Sequence, residues 1–282
     1  MKKYEELCFV DDFMFCKVLT ANPDLCRRLL SVLLGRKVKK VIIHGAQQAV
    51  AVAAGAKSIR MDVYLEDDAE NVYDIEMQTT AGRHLPLRLR YYQAMLDLNH
   101  LESGEDYARL PHTVIIFICT FDFFKKQLPV YTFENRCVQE PELALGDRAE
   151  KIFINPESRR EGVDRELDAF LDYLQGKKTE EGLVGELERE VEKARKRKNW
   201  EVEYMTWQAY QMDARREGRE EGLEEGRKEG RREGRKEGQE EGETRLGKLI
   251  SILLAQGKFE DARLVSTDTE ARAMLYQKYG IV

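Results

Sequence analysis

The chain has 282 residues, of which 42% are hydrophobic and 35% are charged, and its formal net charge is −6. A chain of this length can bury a full core and form one large domain with an appendage, and the high charged share predicts a large solvated part. The negative charge excludes a surface that is basic throughout, although a local basic patch is enough to bind nucleic acid.

Two groups of basic residues are candidates for such a patch, and ordinary surface charge explains each group equally well. They are Arg27, Arg28, Arg36, Lys37, Lys39 and Lys40, and then Arg83, Arg88 and Arg90. Five cysteines, an odd number without a CxxC pair, predict neither a zinc site nor a disulfide framework. The sequence has no signal-peptide-like start and no apolar run of about 18 residues, so we expect a soluble cytoplasmic protein with reduced thiols.

The first predicted elements are two helices, residues 11–20 and 22–34, with Asn22 and Pro23 as the N-cap and helix-start proline of the second. Residues 38–53 favour a strand, although their alanines leave that assignment open. Residues 59–65 and 72–78 alternate apolar with polar side chains and are joined by an acidic turn, which predicts a β-hairpin.

Pro86 and the apolar spacing after it predict an amphipathic helix that ends near Gly104. Residues 113–121 then form an apolar run typical of a buried strand. A further helix is expected at about residues 163–174. The predicted order before that helix is therefore helix, three strands, helix, strand.

Alternation within the hairpin divides its residues between two faces. Apolar side chains occupy the odd positions of both strands, so Asp62, Glu76 and Gln78 share the opposite, polar face. If the odd positions of both strands face one core, a three-residue loop at 68–70 gives paired residues an index sum of 138. That register places Asp62 directly across from Glu76.

Two carboxylates opposed at about 4.5–5.5 Å destabilise a sheet unless something neutralises them. One or two Mg²⁺ ions would do so, with Asp62, Glu76 and the Met77 backbone carbonyl as ligands and water or phosphate completing the coordination. Such an ion activates water for phosphodiester hydrolysis. Gln78 can orient water or phosphate but cannot act as a general base. Arg60 and Tyr64 flank Asp62 on this face, where they are candidates for contact with DNA phosphate or for pairing with neighbouring acids.

Ordinary polar residues on the wet side of a surface hairpin explain the same pattern, and the spacing alone does not make a nuclease. A larger set of segments changes this balance. It comprises RMDVYLEDDAENVYDIEMQ, RHLPLRLRYYQAML, IIFICTFDFF and the later Glu-Gly repeats. In this order, from about residue 10 to 242, they resemble the Rpn family of recombination-promoting nucleases and transposases, within the PD-(D/E)XK superfamily.

The resemblance implies an α/β, restriction-endonuclease-like αβββαβ core, Mg²⁺-dependent cleavage of DNA, and a role in recombination or mobile-element biology. It assigns Asp62 and Glu76 as the two catalytic acids. It also places Gln78 where the wider superfamily usually has lysine, which leaves the general base open.

The resemblance suggests further residues around this site. An acid on the first helix completes many such sites, and Asp12 is preferred to Asp11, although helix capping explains either residue. Arg88, Arg90 and Tyr91 fit the family's arginine and tyrosine pattern and are candidates for DNA contact, although Tyr91 also suits a core position. The four histidines show no metal-ligand spacing.

Glycine recurs every fourth residue between positions 218 and 242, each time after glutamate. Seven helical glycines cost roughly 6–7 kcal/mol relative to alanine, so another interaction must offset them. A glycine stripe for a second helix, such as that of a homodimer, and a partly melted charged tether remain equally plausible. DNA binding by this segment is the weaker third option.

These patterns predict three regions, namely a nuclease-like domain at 1–178, a long charged helix at 179–245 and a small helical cap at 246–282. The leading functional hypothesis is a Mg²⁺-dependent DNA endonuclease. The alternative is a catalytically silent DNA-binding or assembly protein that keeps the nuclease fold.

Overall fold

The structure is a computed structural model that describes residues 2–50 and 59–281, with the backbone alone for residues 46–50, 59, 60 and 221. The first two helices are α1 (Asp12–Ala21) and α2 (Pro23–Leu34), close to their predicted bounds. Gly35 ends α2 with a φ of 61°, a left-handed conformation that glycine adopts without steric cost. Both helices bury an apolar face.

The predicted order of elements continues with β1 (Val41–Val50), β2 (Ile59–Asp67), β3 (Val72–Gln78), α3 (Leu85–His100) and β4 (Thr113–Cys119). The mixed α/β, restriction-endonuclease-like fold is therefore confirmed. Residues 51–53 of the predicted first strand lie outside the described residues.

Two strands escaped prediction, β5 (Val130–Phe133) and β6 (Ala149–Ile154). Within the described residues the sheet has six strands in the order β1-β2-β3-β4-β6-β5. The pairs β3–β4 and β4–β6 are parallel, whereas the other neighbours are antiparallel. Strand β3 is therefore hydrogen-bonded on both edges, in the interior of the sheet.

The hairpin has the predicted register. Val63 pairs with Ile75, and Tyr64 pairs with Asp74, so that each pair has the index sum of 138 expected for a three-residue loop. At the turn, the Asp67 carboxylate accepts hydrogen bonds from the amides of Ala69 and Asn71. This local network fixes the loop length and therefore the register.

The alternative interpretation, a surface hairpin with ordinary polar residues on its wet side, is wrong for β3. All seven residues of β3 are buried, because α3 covers this part of the sheet with a cluster that includes Leu85, Leu89 and Leu96. The helices α1 and α2 contact β1 and β2, and they also pack against α4 (Arg165–Leu174) and α5 (Gly182–Arg195). The polar residues of β3 thus lie inside the protein.

The C-terminal part of the chain contains α6 (Lys198–Ala255), α7 (Phe259–Thr267) and α8 (Thr269–Tyr279). A small core joins the end of α6 to α7 and α8 through Leu249, Leu253 and Val265. Two compact units divide the chain after Met205. The three-region division made from the sequence remains a prediction.

Candidate metal centre

The candidate site lies between the neighbouring strands β2 and β3, near the carboxyl end of β3. Glu76 is 3% exposed and Gln78 is 8% exposed, whereas Asp62 on β2 is partly exposed. Gln78 is the last residue of β3, and its carbonyl accepts a hydrogen bond from Thr120 just after β4. The site therefore lies near the carboxyl ends of the parallel strands β3 and β4.

Asp62 and Glu76 are linked by hydrogen bonds in which the carboxylate of each strand accepts from a backbone amide of the other strand. The Asp62 amide donates a hydrogen bond to Glu76 Oε1 at 3.0 Å. In return, the amide of Met77 donates to Asp62 Oδ2 at 3.1 Å. The two acids are thus held together by backbone amides that would otherwise continue the ladder between β2 and β3.

The first helix brings a further acid to the site. Asp12 begins α1, and oxygens of Asp12 and Asp62 lie with Cys16 Sγ in a group whose donor atoms are all within 4.8 Å of one another. Asp11 instead accepts hydrogen bonds from Lys2 Nζ and the Cys8 amide, both at 2.8 Å. The structure therefore places Asp12 rather than Asp11 beside Asp62.

Cys16 was not among the predicted site residues. It is buried, and its Sγ lies 3.7 Å from Asp12 Oδ1. The available signal was the spacing of four between Asp12 and Cys16, which puts both side chains on one face of a helix. Glu76 is not in this group of described residues with donor atoms within 4.8 Å of one another.

Burial and crowding of like charges perturb the acids. Burial raises the pKa of Asp62 well above its usual value, and the negative charges of Glu76 and Asp12 raise it further. The pKa of Glu76 is also raised well above its usual value by burial and then by Asp74. A bound cation would reverse this effect, because it favours the ionised carboxylates.

Asp74 is a second residue that sequence reasoning missed. It lies on β3 two positions before Glu76, is fully buried, and both its carboxylate oxygens lack a hydrogen-bond partner. Burial raises its pKa well above its usual value, and the charge of Asp62 adds to the effect. Asp74 occupies an even position of β3, on the same face as Glu76 and Gln78, so the alternation of the strand was the signal that could have found it.

Arg88 on α3 supplies the nearby positive charge. Its Nη2 lies 3.6 Å from Glu76 Oε2, and its guanidinium lies over the rings of Phe117 and Tyr92. Buried Nε and Nη2 of Arg88 make no hydrogen bond among the described residues. Arg88 therefore faces the acids of the site, while its side chain is 37% exposed, and its contact with DNA remains a prediction.

The other candidate DNA contacts lie in different environments. Arg90 and Tyr91 are exposed on α3, with Tyr91 37% exposed. The side chain of Arg60 lies outside the described part of the chain. Tyr64 is buried and its hydroxyl lies 2.7 Å from His100 Nε2, so this tyrosine does not flank an open site.

The first basic group found in the sequence is partly used within the fold. Arg27 donates to Asp24 and to the Val38 carbonyl. Arg28 is hydrogen-bonded to Glu186. Both arginines line a cavity of about 620 Å³ beside α2, together with Glu150 and Glu166. Because acidic side chains line this cavity together with the arginines, it is not suited to bind phosphate.

The donors suit a divalent cation. Asp12 and Asp62 offer converging carboxylate oxygens, and Glu76 is joined to Asp62 through a hydrogen bond. Oxygen ligands of this kind suit Mg²⁺ and other hard cations. Asp74 lies two residues before Glu76 on β3, and neither of its oxygens has a hydrogen-bond partner.

In this α/β protein, the interior strand β3 carries Glu76 and Gln78, and Asp62 of β2 lies beside Asp12 of α1. The family described as PD-(D/E)XK nuclease family transposase matches residues 10–220 of the chain. Since this is most of the sequence, the protein belongs to the PD-(D/E)XK nuclease family of transposases. No curated protein and no solved structure matches it. No helix among the described residues is long and apolar enough to cross a membrane.

Proposed function

We propose that this protein is a metal-dependent DNA endonuclease that uses Mg²⁺ and acts in recombination or in the movement of genetic elements. Family membership supports a nuclease-type function and DNA as the substrate. The observation that carries the metal dependence is the convergence of Asp12 and Asp62, next to a Glu76 bonded to the Asp62 amide.

Asp62 and Glu76 would hold the metal, with the Met77 carbonyl as a further ligand and Asp12 as an additional acid. When bound, Mg²⁺ supplies a Lewis acid that lowers the pKa of water and stabilises charge on phosphate. Gln78, at the end of β3, positions water or a phosphate oxygen through its amide. Because a glutamine amide is not basic at neutral pH, a different group must take the proton of the attacking water.

DNA would approach over the carboxyl ends of β3 and β4. Arg90 and Tyr91 on α3 are exposed and suited to contact phosphate and base or sugar. Arg88 serves the site from within, where its charge lowers the pKa of Glu76. Arg60 remains a candidate on sequence grounds alone.

The helical extension supports a further proposal, a homodimer that would bring two sites to the two strands of DNA. Residues 206–255 belong to α6, and the seven glycines of the repeat have no heavy atom within 4 Å of an added Cβ. An open glycine stripe permits close approach of a second helix. Analytical ultracentrifugation that detects only monomer, with and without DNA, would reject the dimer.

Cleavage of supercoiled plasmid in Mg²⁺ and in EDTA tests the proposed activity. The proteins to compare are wild type, Asp62→Asn, Glu76→Gln and the control Asp68→Asn, whose residue is exposed in the β2–β3 turn. We expect wild type and the control to nick or linearise the plasmid in Mg²⁺ alone. The two site variants should be at least about 100-fold slower, because each loses a charged ligand.

The opposite outcome has a defined meaning. If folded wild type cuts no plasmid, linear duplex or branched DNA with Mg²⁺ or Mn²⁺, the endonuclease proposal fails. DNA binding that persists in EDTA would then favour the silent DNA-binding or assembly protein. If Asp62→Asn cuts as fast as the control, the activity does not belong to this site.

A further inference from the structure

A soft ligand lies among the hard ligands of the candidate metal centre. Cys16 Sγ and oxygens of Asp12 and Asp62 are mutually within 4.8 Å. Asp12 and Cys16 are four residues apart on α1 and are already in contact, with Sγ 3.7 Å from Asp12 Oδ1. A rigid helix therefore presents a carboxylate and a thiol as a ready-made pair.

The chemistry of this donor set differs from that of a magnesium site. Mg²⁺ prefers oxygen ligands and retains water, whereas thiolate selects softer cations such as Zn²⁺ and Cd²⁺. Zinc is commonly bound by three protein side chains with a fourth position left for water. One thiolate and two carboxylates match that number, and zinc accepts both types of ligand.

A separate observation favours a cation here. Asp74 is fully buried and neither of its oxygens has a hydrogen-bond partner, although it interacts electrostatically with Asp62. Arg88 is the nearby cation, but its Nη2 approaches Glu76 rather than Asp62. Among the described side chains, no lysine or arginine forms an ion pair with Asp12 or Asp62.

We propose that Asp12, Cys16 and Asp62 form a binding site for a thiophilic divalent cation, Zn²⁺ or a cation of like chemistry, and that its occupation inhibits cleavage. The cysteine pattern of the sequence predicted no zinc site, because the ligands come from α1 and β2 and include only one cysteine. Binding converts the thiol to a thiolate with release of its proton. Since Asp62 serves both sites, a bound Zn²⁺ denies it to Mg²⁺. The inhibitory part of this inference rests on the proposed endonuclease activity, whereas the binding part does not.

The binding test uses Cd²⁺ as a spectroscopic substitute for Zn²⁺ and the full-length reduced protein. Thiolate bound to Cd²⁺ gives an ultraviolet charge-transfer absorption, which carboxylates alone do not give. We expect this absorption for wild type and for Cys26→Ser, a matched control at a fully buried cysteine in α2. Cys16→Ser should lose it, and Asp12→Asn should bind Zn²⁺ about tenfold more weakly in competition with a chromophoric chelator.

Retained absorption in Cys16→Ser, or its loss in Cys26→Ser, would overturn the proposed site. Thermal melting checks that each variant is folded. Asp12→Asn keeps the thiol and the buried Cys16 packing, so it tests the site even if Cys16→Ser does not fold. Unchanged Zn²⁺ affinity in Asp12→Asn would also overturn the proposal.

The inhibition test measures plasmid cleavage in excess Mg²⁺ with increasing Zn²⁺, each rate being divided by the same variant's rate without Zn²⁺. We expect Cys16→Ser to need at least about tenfold more Zn²⁺ than wild type for half inhibition. Equal sensitivity would overturn the inhibitory role. Cys16-dependent Cd²⁺ absorption in a protein that cuts no DNA would reject the endonuclease while the binding site stands.

Discussion

Arg88 Nη2 lies 3.6 Å from Glu76 Oε2, and this approach links α3 to the acids of β3. The ion pair is incomplete, because Nη2 and Nε of Arg88 make no hydrogen bond among the described residues. Its positive charge nevertheless lowers the pKa of Asp74 and of Glu76, against the stronger effect of burial. Arg88 therefore determines how much uncompensated negative charge the core contains.

Replacing Arg88 with glutamine should destabilise the protein by about 1–3 kcal/mol at pH 8, because it leaves buried acids without their counter-charge. The loss should be smaller at pH 5. Both acids have raised pKa values in the folded state, so protonation relieves the charge at lower pH, and stability falls as pH rises through that window. Urea unfolding in EDTA at the two pH values measures this difference. Arg88→Lys, which keeps the charge, is the control, and an equal loss at both pH values would contradict the explanation.

Asp74→Asn should stabilise the metal-free protein. Burial raises the pKa of Asp74, so its contribution to stability is present below the unfolded pKa near 3.8 and is lost as pH rises through the folded pKa. Removing the charge should therefore increase the free energy of unfolding by about 1–2 kcal/mol at pH 8 and by less at pH 5. Thermal melting in EDTA checks this, with Asp68→Asn as the exposed control. A variant that melts below wild type at pH 8 would show that Asp74 has a stabilising partner.

Asp122 fixes the loop that follows β4. Its carboxylate accepts hydrogen bonds from the amides of Lys125 and Gln127 and from the Tyr131 hydroxyl, and Lys125 and Gln127 have positive φ values of 56° and 57°. Although burial opposes the effect, the hydrogen bonds of Gln127 and Tyr131 lower the pKa of Asp122.

Asp122→Asn should lower the free energy of unfolding by about 1–3 kcal/mol at pH 7. Its NH2 group replaces the second carboxylate oxygen and cannot accept the hydrogen bond from the Gln127 amide. Because the folded-state pKa of Asp122 is lowered, its ionised carboxylate stabilises the protein above the unfolded pKa near 3.8, and this contribution is lost as pH falls through the folded pKa. The free energies of unfolding of the variant and of wild type should therefore converge as pH approaches the folded pKa. Chemical unfolding between pH 7 and pH 3 measures this convergence, with exposed Glu161→Gln as the control. A constant difference across that range would rule out the charged acceptor as the cause.

Gly226→Ala combined with Gly230→Ala distinguishes the two interpretations of the glycine repeat. An added Cβ meets no heavy atom within 4 Å at either position, so each alanine should stabilise α6 by about 1 kcal/mol. If the stripe is a tether, circular dichroism shows more helix and self-association does not change. If two helices meet at the stripe, the added methyl groups weaken the dimer in sedimentation while helicity still rises. Alanine at exposed Arg227 and Arg231 provides a control for composition.

The order of strands and helices could be predicted from the sequence because alternation, proline and glycine act locally. The hairpin register followed from the loop length, and Val63 indeed pairs with Ile75. The burial of the polar face of β3 could not be predicted, since an amphipathic α3 does not reveal which surface it will cover. Its packing buried Glu76 and Asp74, which no local pattern within β3 could indicate.

Among the site residues, those within one local segment could be predicted from the sequence, whereas those brought together by packing could not. Asp62 and Glu76 could be selected together because both belong to one hairpin. Asp12 was selected through family resemblance, and Cys16 and Arg88 acquire their positions only when α1 and α3 pack on the sheet. Contacts between distant segments depend on the whole core, and a single sequence does not encode them in a readable spacing.

The amides of Asp62 and Met77 end on carboxylate oxygens of Glu76 and Asp62, at 3.0 and 3.1 Å, instead of on carbonyls of the facing strand. A cation that takes these oxygens competes with the two amides for the same electron pairs. Metal occupancy and solvent protection of the backbone are thereby coupled. The two amides are natural isotope-exchange reporters, able to register an empty or filled centre when no DNA is present and nothing is cleaved.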